Sequence, residues 1–144
     1  VTHIDFYILA DSAPQCREQL ACRLTEKVYL MGHSVYLHTE SHTHAALMDD
    51  LLWTYKAGAF LPHTILDSES GDTSPILIGC DTEPPVQTHL LINLSSQVPM
   101  FFSRFERVAE VVDENNDNKK SGRERFRFYR DRGYTLKSHQ LPAL

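Results

Sequence analysis

A chain of 144 residues, 42% hydrophobic and 23% charged, has the make-up of one globular domain with a sizeable core. Its formal charge is −5, and no apolar run approaches the roughly 18–20 residues that a membrane-spanning helix needs. The opening VTHIDFYILADS carries neither a cationic leader nor a small-residue cleavage site, so no signal peptide is expected there. Three cysteines, Cys16, Cys22 and Cys80, form no CxxC pair, which points to reduced, buried thiols in the cytoplasm.

Residues 3–10, HIDFYILA, read as a strand with a continuous apolar end, as for a strand covered on both faces. Ser12-Ala-Pro-Gln15 follows as a helix start of the capping-box kind, with proline in the first turn. Cys16, Leu20, Leu24, Val28 and Met31 then fall on one helical stripe, which Gly32 ends. A second strand, residues 34–39 (SVYLHT), completes a β-α-β unit of parallel-crossover length. A second helix is predicted over residues 43–56 with a core stripe of Leu47, Met48, Leu51, Leu52 and Tyr55. Residues 60–63 open a stretch without periodicity, and residues 68–74 (SESGDTS) form a polar loop. Residues 76–80 and 89–94 read as short apolar strands. Pro99 opens a helix through Phe101, Phe102 and Phe105 that runs into a possible strand at 108–112. The segment 113–118 (DENNDN) is expected to be a loop, 119–133 a basic helix, and 134–141 a last strand or a tail. The alternation of strand and helix predicts a single α/β domain over 1–144: a mainly parallel sheet flanked by helices, Rossmann-like in topology, without a nucleotide-binding loop.

That last clause rests on the turn after the first strand. It reads Ala10-Asp11-Ser12-Ala13-Pro14 with no glycine, whereas a dinucleotide turn or a P-loop needs glycines for close approach to phosphate. Asp11 adds negative charge there. His38, His42 and His44 in HTESHTH lack the cysteine or well-spaced carboxylate that would complete a zinc set, and read as a solvated polar turn. No nucleophile elbow or hydrolase signature occurs. Asp49 and Asp50 sit on an ordinary amphipathic helix. No catalytic residue, metal or cofactor is therefore expected.

Two surface features remain. Residues 119–133, KKSGRERFRFYRDRG, hold seven of the fourteen Lys and Arg against two acids, Glu124 and Asp131. The segment is thus +5 and the rest of the chain −10. At about 100° per residue, Lys119, Arg123, Phe126, Arg127 and Arg130 share one side of the helix. A ring among fixed cations suits a ligand both apolar and anionic, such as a short acidic peptide with an apolar last residue and a free carboxylate. The bland alternative is a solvated basic helix whose Gly122, Phe126, Tyr129 and Gly133 face the core. Direct binding of single-stranded DNA is the other functional alternative, but the acidic remainder of the chain would repel a long polyanion. The second feature is Trp53, off its helix's core stripe, with Phe60, Leu61 and Pro62 nearby. They form either an exposed anchor for a partner or a loop-covered indole.

Taken in order, DFYIL, LLW…AFLPH, LLINL, FFSRFERVAEVVD and RERFRFYRDRGY resemble the chi subunits of bacterial DNA polymerase III holoenzyme along nearly the whole chain. The resemblance implies a non-catalytic α/β protein that bridges the clamp loader to coated single-stranded DNA, contacting DNA only indirectly. It implies a heterodimer with the psi subunit, through a surface containing Trp53 and Phe60. It also implies binding of the acidic-apolar C-terminal tail of single-stranded DNA-binding protein by Lys119, Arg123, Phe126 and Arg127, with Arg123 the central cation. Some relatives carry Tyr and Lys where this chain has Phe126 and Arg127, so ring and charge persist while a hydroxyl is lost.

Overall fold

The computed structural model describes residues 2–10, 13–58, 60–66, 74–84 and 89–141. Among these residues seven strands form one sheet: β1 (His3–Leu9), β2 (Val35–His38), β3 (His63–Ile65), β4 (Ile76–Gly79), β5 (Leu90–Asn93), β6 (Arg107–Val112) and β7 (Thr135–Leu141). Three α-helices accompany them, α1 (Cys16–Leu30), α2 (His42–Thr54) and α3 (Asn116–Asp131), with a 3-10 turn at Phe102–Arg104. The strand order is β3-β4-β2-β5-β6-β1-β7, and every pairing is parallel.

The crossovers explain the layers. The connections β1-α1-β2 and β2-α2-β3 step one way along the sheet, and β6-α3-β7 steps the other way. Right-handed crossovers therefore place α1 and α2 on one face and α3 on the other. Each face has its own core. Cys16, Leu20 and Ala21 of α1 and Met48 and Leu52 of α2 pack on Val35, Leu37, Ile78 and Ile92. On the opposite face Tyr129 of α3 packs with Phe102 and Phe105 on Ile4, Phe6, Leu91 and Val108. Covered on both sides, all residues of β2, β4 and β5 are buried.

Several expectations are corrected. Helix α1 starts at Cys16, capped by Gln15 in a left-handed conformation (φ 65°) without a side-chain cap bond. Ser12 of the expected capping box lies outside the described residues. Met31 is exposed rather than part of the core stripe. At about 1.5 Å per residue α1 runs some 22 Å, while four-residue β2 covers about 13 Å, so the helix end overhangs the sheet. The helix expected from Pro99 is a single 3-10 turn, because burying Phe102 and Phe105 against α3 turns the chain straight into β6. Half of the 113–118 loop is helix, since Asn115 caps α3 by accepting from the N–H groups of Asp117 and Asn118. Residues 63–65, where no period was visible, form edge strand β3. Residues 134–141 resolve to strand β7, paired with β1. The loop expected at 68–74 lies outside the described residues except for Ser74.

Asp5 of β1 is buried and accepts from Arg107 Nη2 at 2.9 Å and His139 Nε2 at 3.0 Å. Burial alone would raise its pKa, but the His139 and Arg107 hydrogen bonds outweigh this and hold it below the ordinary carboxylate value. The resulting stability is complete above the unfolded-state value of about 4 and is lost as pH falls through the lowered folded value. Urea midpoints measured between pH 6 and pH 3 should therefore fall less for Asp5→Asn than for the wild type. Parallel curves would show that Asp5 contributes nothing to acid unfolding.

A basic helix with a charged anchor and an apolar groove

The fifteen-residue basic segment does not present all its cations to solvent. Arg125 is buried, and its Nε donates to Glu110 of β6 at 2.8 Å, while Nη1 reaches Ser121 Oγ and the Ser96 carbonyl. Tyr129 Oη donates to the other Glu110 oxygen at 2.7 Å, as does Asn93 Nδ2 at 2.9 Å. Asn93 Oδ1 in turn accepts from His38 Nδ1 at 3.1 Å. The row His38, Asn93, Glu110, Arg125 and Tyr129 thus crosses β2, β5 and β6 and ties α3 to the sheet. Burial, together with the adjacent Glu110 charge, pushes the Tyr129 hydroxyl well up and keeps it a donor.

With Arg125 and Tyr129 turned inward, the flank of α3 facing β1 and β7 is fixed. Gly122 lets the helix come close, since a Cβ there would sit 2.8 Å from Val112 Cγ2. Beside it opens a recess of about 230 Å³. Its apolar walls are Phe6 and Ile8 of β1, Val112 of β6 and Phe126 of α3; Lys119, Arg123 and Ser138 complete it. Phe126 is half-buried, edge-on to Phe6 with centroids 5.2 Å apart. Arg123 is exposed and enters no ion pair among the described residues, whereas Lys119 Nζ lies 3.3 Å from Glu114. The arrangement offers an apolar slot with cations on one side, suited to an apolar group carrying a carboxylate.

Of the five residues predicted for this site, Lys119, Arg123 and Phe126 come together around the recess. Arg127 and Arg130 are exposed but do not line it, and Arg130 pairs with Asp131 at 3.2 Å. The expected inward stripe of Gly122, Phe126, Tyr129 and Gly133 is also revised. Arg125 takes an inward place, and Gly133, at φ 81°, follows the end of the helix as an exposed residue. Phe6, Ile8, Val112 and Ser138 escaped sequence reasoning because they come from three other elements. The small residue Gly122 was the one local signal of close packing.

The second predicted surface is divided. Trp53 (57% exposed) and Phe60 (83%) stand out, and Pro62 is exposed, but Leu61 is 3% exposed within the core beneath α2. Leu61 points in where its neighbours Phe60 and Pro62 point out. Leu61 is thus removed from the contact surface. The Trp53 ring packs 4.5 Å from that of His63, and the indole remains accessible.

The histidines of HTESHTH diverge. His38 joins the buried row, while His44 accepts from the Glu40 N–H and lies 3.3 Å from Glu18. Among the described residues no three His, Cys, Asp or Glu side chains form a metal-holding group, and no helix is long and apolar enough to cross a membrane. Cys16 and Cys22 are buried, and burial followed by the Glu18 charge pushes Cys22 up to about 12.

Comparison with known proteins agrees with this architecture. A solved structure described as the crystal structure of T4 UvsW superposes with a TM-score of 0.73 at 11% identity, covering 99% of this chain. The chain spans 42% of that structure, and the likeness is one of fold alone. DNA polymerase III subunit chi of Pseudomonas aeruginosa is 38% identical over 144 residues, the full length of both chains. The Haemophilus influenzae subunit chi is 28% identical, covering 94% of this chain and 95% of its own. The Escherichia coli subunit chi is 27% identical, covering 83% and 82%. The profile of the family described as DNA polymerase III chi subunit, HolC, matches residues 1–137, and the chain belongs to that family.

Proposed function

We propose that this protein is a non-catalytic replication accessory subunit with two protein contacts. The recess beside α3 takes the acidic, apolar C-terminal tail of single-stranded DNA-binding protein, and the surface around Trp53 and Phe60 takes the psi subunit of the clamp loader. The observation that carries the reading is an apolar slot bordered by Lys119 and by Arg123, which is free of ion pairs among the described residues. A terminal aromatic side chain fills the slot while the tail's carboxylates face the cations. Support for two independent contacts comes from the layers. Trp53 belongs to the α1 and α2 face and the recess to the α3 face, so the sheet separates them. One chain can then hold both partners at once.

Calorimetry with an acidic peptide ending in Asp-Ile-Pro-Phe, with and without the last residue, tests the tail site. Binding should weaken with salt, because charge pairs at an exposed site are screened over about 8–10 Å. Removal of the terminal Phe should abolish most of it. Binding to bare single-stranded DNA in place of either peptide would instead favour direct DNA recognition. For the second contact, Trp53→Ala and Phe60→Ala should each weaken psi binding about tenfold or more and leave peptide binding intact. Equal loss of both activities would refute two separate surfaces.

A further inference from the structure

Beside the Trp53 and Phe60 surface, the ring of His63 leaves one nitrogen without a hydrogen-bond partner among the described residues. This is Nε2, on a fully buried side chain at the start of β3. The other ring nitrogen, Nδ1, lies 2.6 Å from the Leu61 carbonyl oxygen. A carbonyl only accepts, so Nδ1 carries the hydrogen, and in the neutral ring Nε2 is a bare lone pair. That lone pair faces an acid: Asp49 Oδ1 of α2 lies 3.1 Å away and makes no hydrogen bond with it. Two acceptors at this distance repel, and a buried polar atom left unsatisfied is costly. A proton on Nε2 turns the same contact into a charge-assisted hydrogen bond.

The ring also reaches both parts of the exposed surface. Asp49 and Trp53 stand four residues apart on one face of α2. The His63 ring meets both, its centroid 4.5 Å from that of the indole with the planes tilted by 53°. At that separation a charged imidazole is attracted to the indole π-system. Through Leu61, the Nδ1 bond holds the segment that carries Phe60. Strand β4 and helix α2 pack against β3. Strand β4 has no ionisable side chain. On α2, His42 and Asp50 are exposed and His44 lies against Glu18 of α1, so Asp49 is the acid that faces His63 among the described residues.

We propose that His63 is a positioning residue for the Trp53 and Phe60 surface, and that a proton held between its Nε2 and Asp49 keeps that surface in place. With the proton present, one ring ties α2 to the Phe60 segment and supports the indole. Without it, the bare nitrogen and the carboxylate push apart and the indole loses its cationic neighbour. The device is a property of the free chain; its consequence for partner binding rests on the reading of Trp53 and Phe60 as the psi surface.

Trp53 is the single tryptophan of the chain, so indole emission reports this site directly. Emission of the full chain, followed from about pH 8.5 to about pH 5 across the ordinary imidazole value of about 6.5, should show a one-proton step, because a charged imidazole quenches an adjacent indole. The step should be lost in His63→Gln. Asp49→Asn keeps the ring and offers neutral Nε2 an amide donor, so its step should move to lower pH. A flat wild-type profile, or the same step in His63→Gln, overturns the proposal, and an unchanged step in Asp49→Asn overturns the shared proton. Calorimetry against psi on either side of the step should show binding about fivefold or more tighter at the lower pH, relative to the change seen with His63→Gln, which cancels psi's own titration. Psi affinity that ignores the step while Trp53→Ala destroys it overturns the positioning role. Wild-type psi affinity in Trp53→Ala refutes the psi surface instead, and the emission step then decides the proposal.

Discussion

Glu110→Ala should cost about 3–5 kcal/mol of folding stability, a loss visible as a thermal midpoint lower by on the order of 10 °C. The reason is the group left behind. Arg125 is buried against Glu110, and without that carboxylate its guanidinium keeps the Ser96 carbonyl and Ser121 hydroxyl but has no counter-charge. The Tyr129 hydroxyl and the Asn93 amide lose their shared acceptor at the same time. Arg125→Ala should be comparably harmful, because it isolates the Glu110 charge. Replacing both by Leu or Met should cost much less than the sum, since the penalty comes from an orphaned charge more than from a lost attraction. Urea denaturation of the two single variants and the double variant measures this. Additive single losses would show that Glu110 and Arg125 act independently and that the row does not anchor α3.

Arg123→Ala should leave stability within about 0.5 kcal/mol of the wild type, as for an exposed residue outside such networks. Its effect should fall on the tail peptide instead. Loss of one good charged contact is worth about 1–3 kcal/mol, a roughly 5- to 150-fold weaker affinity. Arg130→Ala makes the sharper comparison. It lies on the same side of the helix in projection, but it is spent on Asp131 and does not line the recess, so its loss should matter far less. The difference between the two variants should shrink in high salt, where exposed charge pairs are screened. Equal losses would mean that the helix acts as a diffuse basic strip and that the recess has no special role.

These two variants also show where sequence reasoning reached its limit. Seven basic residues in fifteen mark where positive charge concentrates, and helical spacing places Lys119, Arg123 and Phe126 on one side. The same spacing cannot separate Arg130 from Arg123, because projection onto a helix discards position along its axis. Nor does it reveal that Arg125 is buried. An inward arginine needs an acid on the facing strand, and Glu110, fifteen residues earlier, gives no local sign of being that acid. Leu61 was misplaced for a related reason, because an apolar run without periodicity does not say which of its members points inward.

By itself the sequence determined the α/β class, the parallel crossovers, the missing glycine turn and the family, since each is written in local spacing or in motifs met in order. The tertiary structure decided the rest. Strand order follows from how the crossovers stack, and the recess draws on β1, β6, α3 and β7, residues far apart in the chain. The two α-helical layers were placed on opposite faces by the handedness of their crossovers. That separation, which no stretch of the sequence carries, sets the basic recess and the tryptophan surface on opposite faces of the sheet.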